Sequence, residues 1–369
     1  MSQAALFRYF KKEKKFDLEV LICEDYKEAQ ELESVAKFFK HETVLFPDFR
    51  PSYGDDLRVY KEELHQLFTT LRVYHSAKQK PLVIAPLKSL LFHLPQAKLF
   101  ETTTVEFGTT IDLKAFKEKM LFWGYSFVDM VQVEGEISFR GDIIDIYPPT
   151  SEQPYRISLF DDEVEQIKAF ELESQRTDKE ELESVEISPA FYALSEEEFT
   201  KLDERVKNSE FDALVKDVAS LGLWHLEDLS ENFLEGKKAM LSRDLEDLLV
   251  DAYGINNPQL PRDAFHLEKL DEDDDYKELI VADVPALLKV HKDKKITIIA
   301  SNDATFKQFG LFDAQNITKV FAPYILNVIT PDELVISLNK PDKKRRRRKS
   351  SILLDDLKMV IMLFMKIMV

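Results

Sequence analysis

From Gly135 to Thr177 the chain reads GEISFRGDIIDIYPPTSEQPYRISLFDDEVEQIKAFELESQRT, and apolar and polar residues alternate through Glu136–Tyr147, Tyr155–Phe160 and Val164–Phe170. A period of two puts successive side chains on opposite faces of an extended strand, a pattern that a helix of 3.6 residues per turn cannot bury. Between the runs lie Pro148–Pro149 with Thr150–Pro154, and then the acidic Asp161–Glu163. Alternation broken by such turn residues predicts consecutive antiparallel strands. In the first run Ile137 and Phe139 share one face while Ser138 and Arg140 share the other. In the second, Ile157 and Leu159 oppose Arg156, Ser158 and Phe160. One face is core. The other carries two arginines and an outward phenylalanine, which a sheet serving only as scaffold does not require.

A chain of 369 residues is long enough for about two or three domains, and 44% hydrophobic residues with 27 Phe and 12 Tyr supply real cores. The net charge of −18 makes most of the surface repel nucleic acid, so any contact with it needs a local basic patch. A single cysteine, Cys23, excludes a disulfide framework and a cysteine zinc site and fits a reducing cytoplasm. Met1–Lys15 is polar and lysine-rich, without the apolar stretch of a secretory signal, and no apolar run approaches the ~20 residues of a membrane span. The expectation is a cytoplasmic protein with no membrane partner.

In chain order, Leu18–Cys23 predicts a strand, and a helix follows in which Ala29, Leu32, Val35, Ala36 and Phe39 recur at helical spacing. Thr43–Phe46 predicts a strand, Leu57–Tyr74 a helix, Leu82–Ala85 a strand and Leu87–Leu94 a short helix. This alternation is that of an α/β domain with a parallel sheet. Thr102–Glu106 predicts a strand, and Leu113–Trp123 an amphipathic helix stopped by Gly124. The β-rich stretch follows, then helical patterns over Ser195–Ser220 and Leu221–Val250. A turn-rich GINNPQLP marks a boundary. Beyond it a second, small α/β unit is expected: helices Val284–Val290 and Asp303–Phe309, with strands Ile296–Ala300, Ile317–Phe321 and Glu333–Leu338.

The chemistry of enzymes is hard to find in this chain. Parallel sheets often bind nucleotides, but GxxxxGK[ST] occurs nowhere, and the first strand runs into Glu24–Asp25, whose carboxylates repel phosphate. Nine glycines leave little for a phosphate-cradling loop. FPDFRPSYGDD (Phe46–Asp56) reads as a proline-set surface loop with aromatic anchors. Leu270–Tyr276 (LDEDDDY) lacks the order and the glycine of a calcium loop and reads as a solvated acidic loop. No metal is expected.

The chain end reverses in charge and then in character. Lys343, Lys344, Arg345, Arg346, Arg347, Arg348 and Lys349 form a basic run that reads as a linker, with non-specific DNA contact as the alternative. The last eleven residues, MVIMLFMKIMV, hold four methionines. Each Met codon is ATG, and reading from the third base of the Met359 codon permits the ordinary polar sequence GDYVVHEDYG. The expectation is a frameshift near Met359 that truncates a longer protein.

GEISFRGDIIDIYP followed by PYRISLFDDEVEQIKAFELESQRT resembles the module shared by the bacterial transcription-repair coupling factors and the excision-repair protein UvrB. RGDIIDIYP and LFDDEVEQI…SQRT stand in order and at the family's separation, and LKAFKEKMLFWGYSFVDM (Leu113–Met130) matches the lead-in helix. The likeness is convincing from about Leu18 to Ile187 and extends loosely to Lys349. UvrB carries a P-loop in its first α/β domain, and its absence here selects the coupling factors, whose N-terminal region is similar to UvrB with its ATPase chemistry lost.

The resemblance implies a UvrB-like α/β architecture in parts. Residues 1–101 would open an α/β domain without a P-loop, and 102–189 form an inserted β-rich module. Residues 190–255 would continue the α/β domain as helices, 256–340 form a second small α/β domain, 341–358 a basic linker and 359–369 the frameshifted tail. It also implies that the module binds UvrA, the damage-recognition protein of excision repair, through Arg140, Arg156 and Phe160. The alternative for the arginines is pairing with local carboxylates such as Asp161 and Asp162. The implied role is recruitment of UvrA to stalled RNA polymerase, with polymerase and DNA contacted by C-terminal domains that this sequence lacks. ATP and Mg²⁺ would belong to those domains, so this piece needs no cofactor and is no enzyme. The rival reading is an ATP-dependent, UvrB-like helicase or excinuclease subunit.

Overall fold

The computed structural model describes residues 2–12, 17–49, 60–90, 93–208, 229–244, 248, 267–311 and 317–340. The chain opens with helix α1 (Ser2–Lys12), strand β1 (Val20–Cys23), α2 (Tyr26–Phe38), β2 (Thr43–Leu45), α3 (Lys61–Ser76), β3 (Leu82–Pro86), β4 (His93–Pro95) and β5 (Thr103–Glu106). The middle holds α4 (Leu113–Phe122), β6 (Ser126–Phe127), β7 (Glu136–Arg140), β8 (Ile143–Ile146), β9 (Tyr155–Phe160), β10 (Glu163–Ala169), β11 (Ser184–Ile187) and α5 (Glu196–Asn208). There follow β12 (Ser230–Asn232), β13 (Ala239–Leu241), β14 (Glu268–Lys269), β15 (Lys277–Glu278), β16 (Lys295–Ala300), β17 (Ile317–Phe321), β18 (Val328–Ile329) and β19 (Glu333–Ser337). Helices Val284–Val290 and Asp303–Gln308 flank β16 in sequence. The class is α/β. Two compact units result: Met1–Arg50 with Ala77–Leu91 and Phe233–Ser350, and Pro51–Ser76 with Phe92–Asn232 and Ser351–Val369.

The first unit contains a parallel sheet in the order β14-β13-β1-β3-β2. All four residues of β1 and all five of β3 are buried, as expected for strands covered on both faces. Helix α2 lays Ala29, Leu32, Val35 and Ala36 against this sheet in one core with Leu21, Cys23 and Ile84. A second sheet, β15-β18-β19-β16-β17, mixes parallel pairs at β16 with antiparallel ones at β18. Helix α1 was not legible as an element. Its Ala4, Leu6, Phe7 and Phe10 are buried in the same core cluster as Leu326, Val328 and Val335. Arg8 bonds Asp273 at 2.9 Å, so the acidic Leu270–Tyr276 stretch is engaged by α1 rather than wholly solvated.

Two further expectations differ from the structure. Leu87–Leu94 was expected as one short helix, but a 3-10 turn at Leu87–Leu90 precedes strand β4, which pairs antiparallel with β12. Leu221–Val250 was expected to be helical, yet its described residues include β12 and β13. The apolar run Ala239–Leu241 is three residues long, too short to show a period, and only its pairing with Val20–Ile22 on one side and Glu268–Lys269 on the other makes it a strand.

The second unit contains the sheet that the alternating stretch predicts, in the order β10-β9-β8-β7-β6. Two of its hairpins close through two-residue loops: Arg140 pairs Ile143 around Gly141–Asp142, and Phe160 pairs Glu163 around Asp161–Asp162. Gly141 (φ 61°) and Asp161 (φ 55°) take the left-handed backbone such loops need. Ile137, Ile144, Ile157, Leu159, Val164 and Ile167 form the core with Phe116 and Met120 of α4. That helix begins at Asp112, whose carboxylate accepts from the amides of Lys114 and Ala115 at 3.0 and 3.1 Å. It ends at Gly124, at φ 79°.

Candidate functional site

The site is built on the outer face of the five-stranded sheet. Register aligns Ser138 of β7 with Asp145 of β8, and Asp145 with Arg156 of β9. Because side chains repeat every second residue, Arg140, Asp145, Arg156 and Phe160 point to the same side, opposite Ile157 and Leu159, which are 0% and 5% exposed. Arg140 pairs Ile143, and Ile143 pairs Ser158, so Arg140 stands on the row midway between Arg156 and Phe160. Phe160 is 69% exposed. Four residues of strand separate it from Arg156, about 13 Å along β9.

Asp145 organises the two arginines. Its side chain is fully buried, and it accepts from Arg156 Nε at 2.6 Å and Nη2 at 2.8 Å and also from Arg140 Nη2. The paired Arg156 bonds match the parallel geometry in which a guanidinium meets a carboxylate. Arg156 also donates through Nη1 to the Gln175 carbonyl at 3.3 Å and lies 4.9 Å over the Phe170 ring. The bond to Asp145 raises its affinity for the proton above the ordinary arginine value. Its side chain is 19% exposed, against 45% for Arg140.

The SQRT segment belongs to this arrangement. Gln175 adopts φ 56°, which aims its carbonyl at Arg156, and its side-chain amide donates to the carbonyls of Leu172 (2.9 Å) and Val131 (3.3 Å). Ser138 is buried on this face, donating to the Asp129 carbonyl at 3.0 Å. The loops around Asp129–Val131 and Leu172–Gln175 thus close over the inner end of the face and leave Arg140 and Phe160 open.

The three residues expected from the sequence therefore share one face. The anion beside the arginines is Asp145, in place of the expected alternatives Asp161 and Asp162, which occupy the β9–β10 turn. Asp145 itself was missed. Its signal was present in IIDI, where a carboxylate stands at the outward position between two core isoleucines.

The amino end of α2, where an anion binds in many sheets of this kind, is filled by the chain's own carboxylates. Asp25 caps Glu28 N at 2.8 Å, while Glu28, 4% exposed, reaches back to Glu24 N at 2.8 Å. Arg243, beyond β13, bonds Glu24 at 2.7 Å and Glu28 at 3.4 Å. The described part of the FPDFR loop buries Phe46 and Phe49, with Ser89 Oγ bridging the Pro47 carbonyl and Phe49 N. Residues 50–56 of that loop, the basic run Lys343–Lys349 and the tail 359–369 lie outside the described residues. Among the described residues no helix is long and apolar enough to cross a membrane.

Comparison with known proteins matches residues 104–192 to the UvrB interaction domain. The chain is 36% identical over 352 residues to the transcription-repair-coupling factor of Helicobacter pylori (strain ATCC 700392 / 26695), covering 93% of this chain and 35% of that protein. It is 40% identical over 114 residues to that of Bacillus subtilis (strain 168), covering 30% of this chain and 10% of the relative. The factor of Staphylococcus aureus (strain MRSA252) is 37% identical over 134 residues, 36% of this chain and 11% of the relative. The chain thus spans about a third of the Helicobacter protein, at 35%. Residues 104–192, which carry the arginine face, match the UvrB interaction domain, and along 93% of its length the chain is similar to part of a transcription-repair-coupling factor.

Proposed function

We propose that this chain recruits UvrA through the outer face of its five-stranded sheet, with Arg140, Arg156 and Phe160 as the contact residues. The observation that carries the reading is the placement of two arginines, fixed from below by one buried carboxylate, beside a phenylalanine that is 69% exposed. Arginine forks and aromatic area on one face are the usual composition of a binding hot spot. The matched family is an interaction domain, and the relatives are coupling factors by name, so the recruitment is assigned to transcription-coupled repair.

In this reading the chain works in the cytoplasm as a binding module, with residues 102–189 as the inserted part. It requires no cofactor and turns over no ATP, and RNA polymerase and DNA are engaged by other parts of the full-length relatives. The test is a calorimetric titration of purified UvrA with the chain and with Arg140→Ala, Arg156→Ala and Phe160→Ala. Each substitution is expected to weaken binding by about 1–3 kcal/mol while the fold survives. Binding by all three at the parent's affinity would overturn the reading.

A further inference from the structure

The triad carries two cations and one anion. Asp145, at 0% exposure, cannot touch a partner, yet every hydrogen bond found for its carboxylate goes to a residue of the candidate contact set. The two arginines differ in how they are held. Arg156 has two bonds to Asp145, a third to the Gln175 carbonyl and a ring beneath it. Arg140 has a single bond through Nη2, and 45% of its side chain is exposed. One carboxylate balances one guanidinium, so the triad itself keeps one positive charge, in a chain whose net charge is −18.

We propose that Asp145 is a positioning residue that sets both guanidiniums, and that the charge left on Arg140 recognises a carboxylate on the partner surface. The inference rests on the reading that this face binds UvrA. A guanidinium offers five donors in a rigid fork, so the N–H groups of Arg140 that Asp145 does not use suit a second carboxylate. Holding the fork before the encounter removes part of the ordering cost that a mobile arginine would incur on binding. Without the Asp145 charge the two cations repel across the sheet, and Arg140, with one tether, is the one displaced.

The experiment is a double-mutant cycle with purified UvrA, comparing the parent, Asp145→Asn, Arg140→Ala and the double variant, with Asp145→Glu as the charge-preserving control. Asp145→Asn is expected to weaken binding about tenfold, and at least about threefold less in the Arg140→Ala background. Asp145→Glu is expected to restore part of the loss. An equal cost in both backgrounds would mean that Asp145 does not act through Arg140 and would overturn its joint positioning of the two arginines, even where Arg140→Ala and Phe160→Ala weaken binding and so uphold the binding face. A salt titration needs no Asp145 variant: the parent's affinity is expected to fall with NaCl more steeply than that of Arg140→Ala. Equal salt slopes would overturn the partner carboxylate.

Discussion

Asp145 and Arg156 face each other across the β8–β9 ladder, and the carboxylate takes both the Nε and the Nη2 of the guanidinium, at 2.6 and 2.8 Å. A bidentate pair of this kind costs a large desolvation penalty and is retained only when the geometry repays it. Here the pair fixes an arginine on the outer face of the sheet.

Adjacent positions on β9 should give opposite phenotypes. Ile157→Ala removes a side chain with 0% exposure and is expected to cost about 2–5 kcal/mol of stability. Phe160→Ala truncates a ring at 69% exposure and is expected to change stability by no more than about 0.5 kcal/mol while weakening UvrA binding. Urea unfolding and calorimetric titration of the two variants check the contrast.

Gly124 ends α4 at φ 79°, and a Cβ there would lie 2.8 Å from the Cβ of Phe191. Gly124→Ala combines left-handed strain with a collision against a neighbouring residue, and a loss of about 1–3 kcal/mol is expected in urea unfolding.

Tyr125 is fully buried and donates from its hydroxyl to the Ser188 carbonyl at 2.6 Å, and burial pushes its ionisation well above the ordinary tyrosine value. Tyr125→Phe keeps the ring and strands that carbonyl, so a loss of about 1–3 kcal/mol is expected in the same measurement.

His41 stacks on Phe10 with ring centroids 4.7 Å apart, and burial lowers its proton affinity below the ordinary value of 6.5. A histidine depressed in the folded state contributes stability above that ordinary value, and the contribution is lost as pH falls through 6.5 towards the folded value. The melting temperature is therefore expected to drop between about pH 7 and 5 less steeply in His41→Gln than in the parent. Thermal scans across that range decide it.

No ATP turnover is expected from the purified chain. The amides of Glu24 and Glu28 at the start of α2 are already bonded to Glu28 and Asp25, and both carboxylates repel a triphosphate. A phosphate-release assay after two independent purifications measures it, and turnover that co-purifies with the chain would contradict it.

The sequence by itself determined the faces. Along β9 the order Arg156, Ile157, Ser158, Leu159, Phe160 sorts inward from outward by period alone, because the alternation of a strand is local. The parallel character of the first sheet was legible for the same reason, since β1, β2 and β3 are apolar runs separated by helical patterns. Tertiary structure decided what stands beside what. Asp145 meets Arg156 eleven residues away because the β8–β9 register brings them level, and Arg243 reaches Glu28 across 215 residues. Helix α1 and strand β13 are short segments whose apolar residues have no meaning until a neighbour covers them. Periodicity is a property of one segment and survives in the sequence, whereas register and long-range pairing are properties of two, and only the folded chain holds both at once.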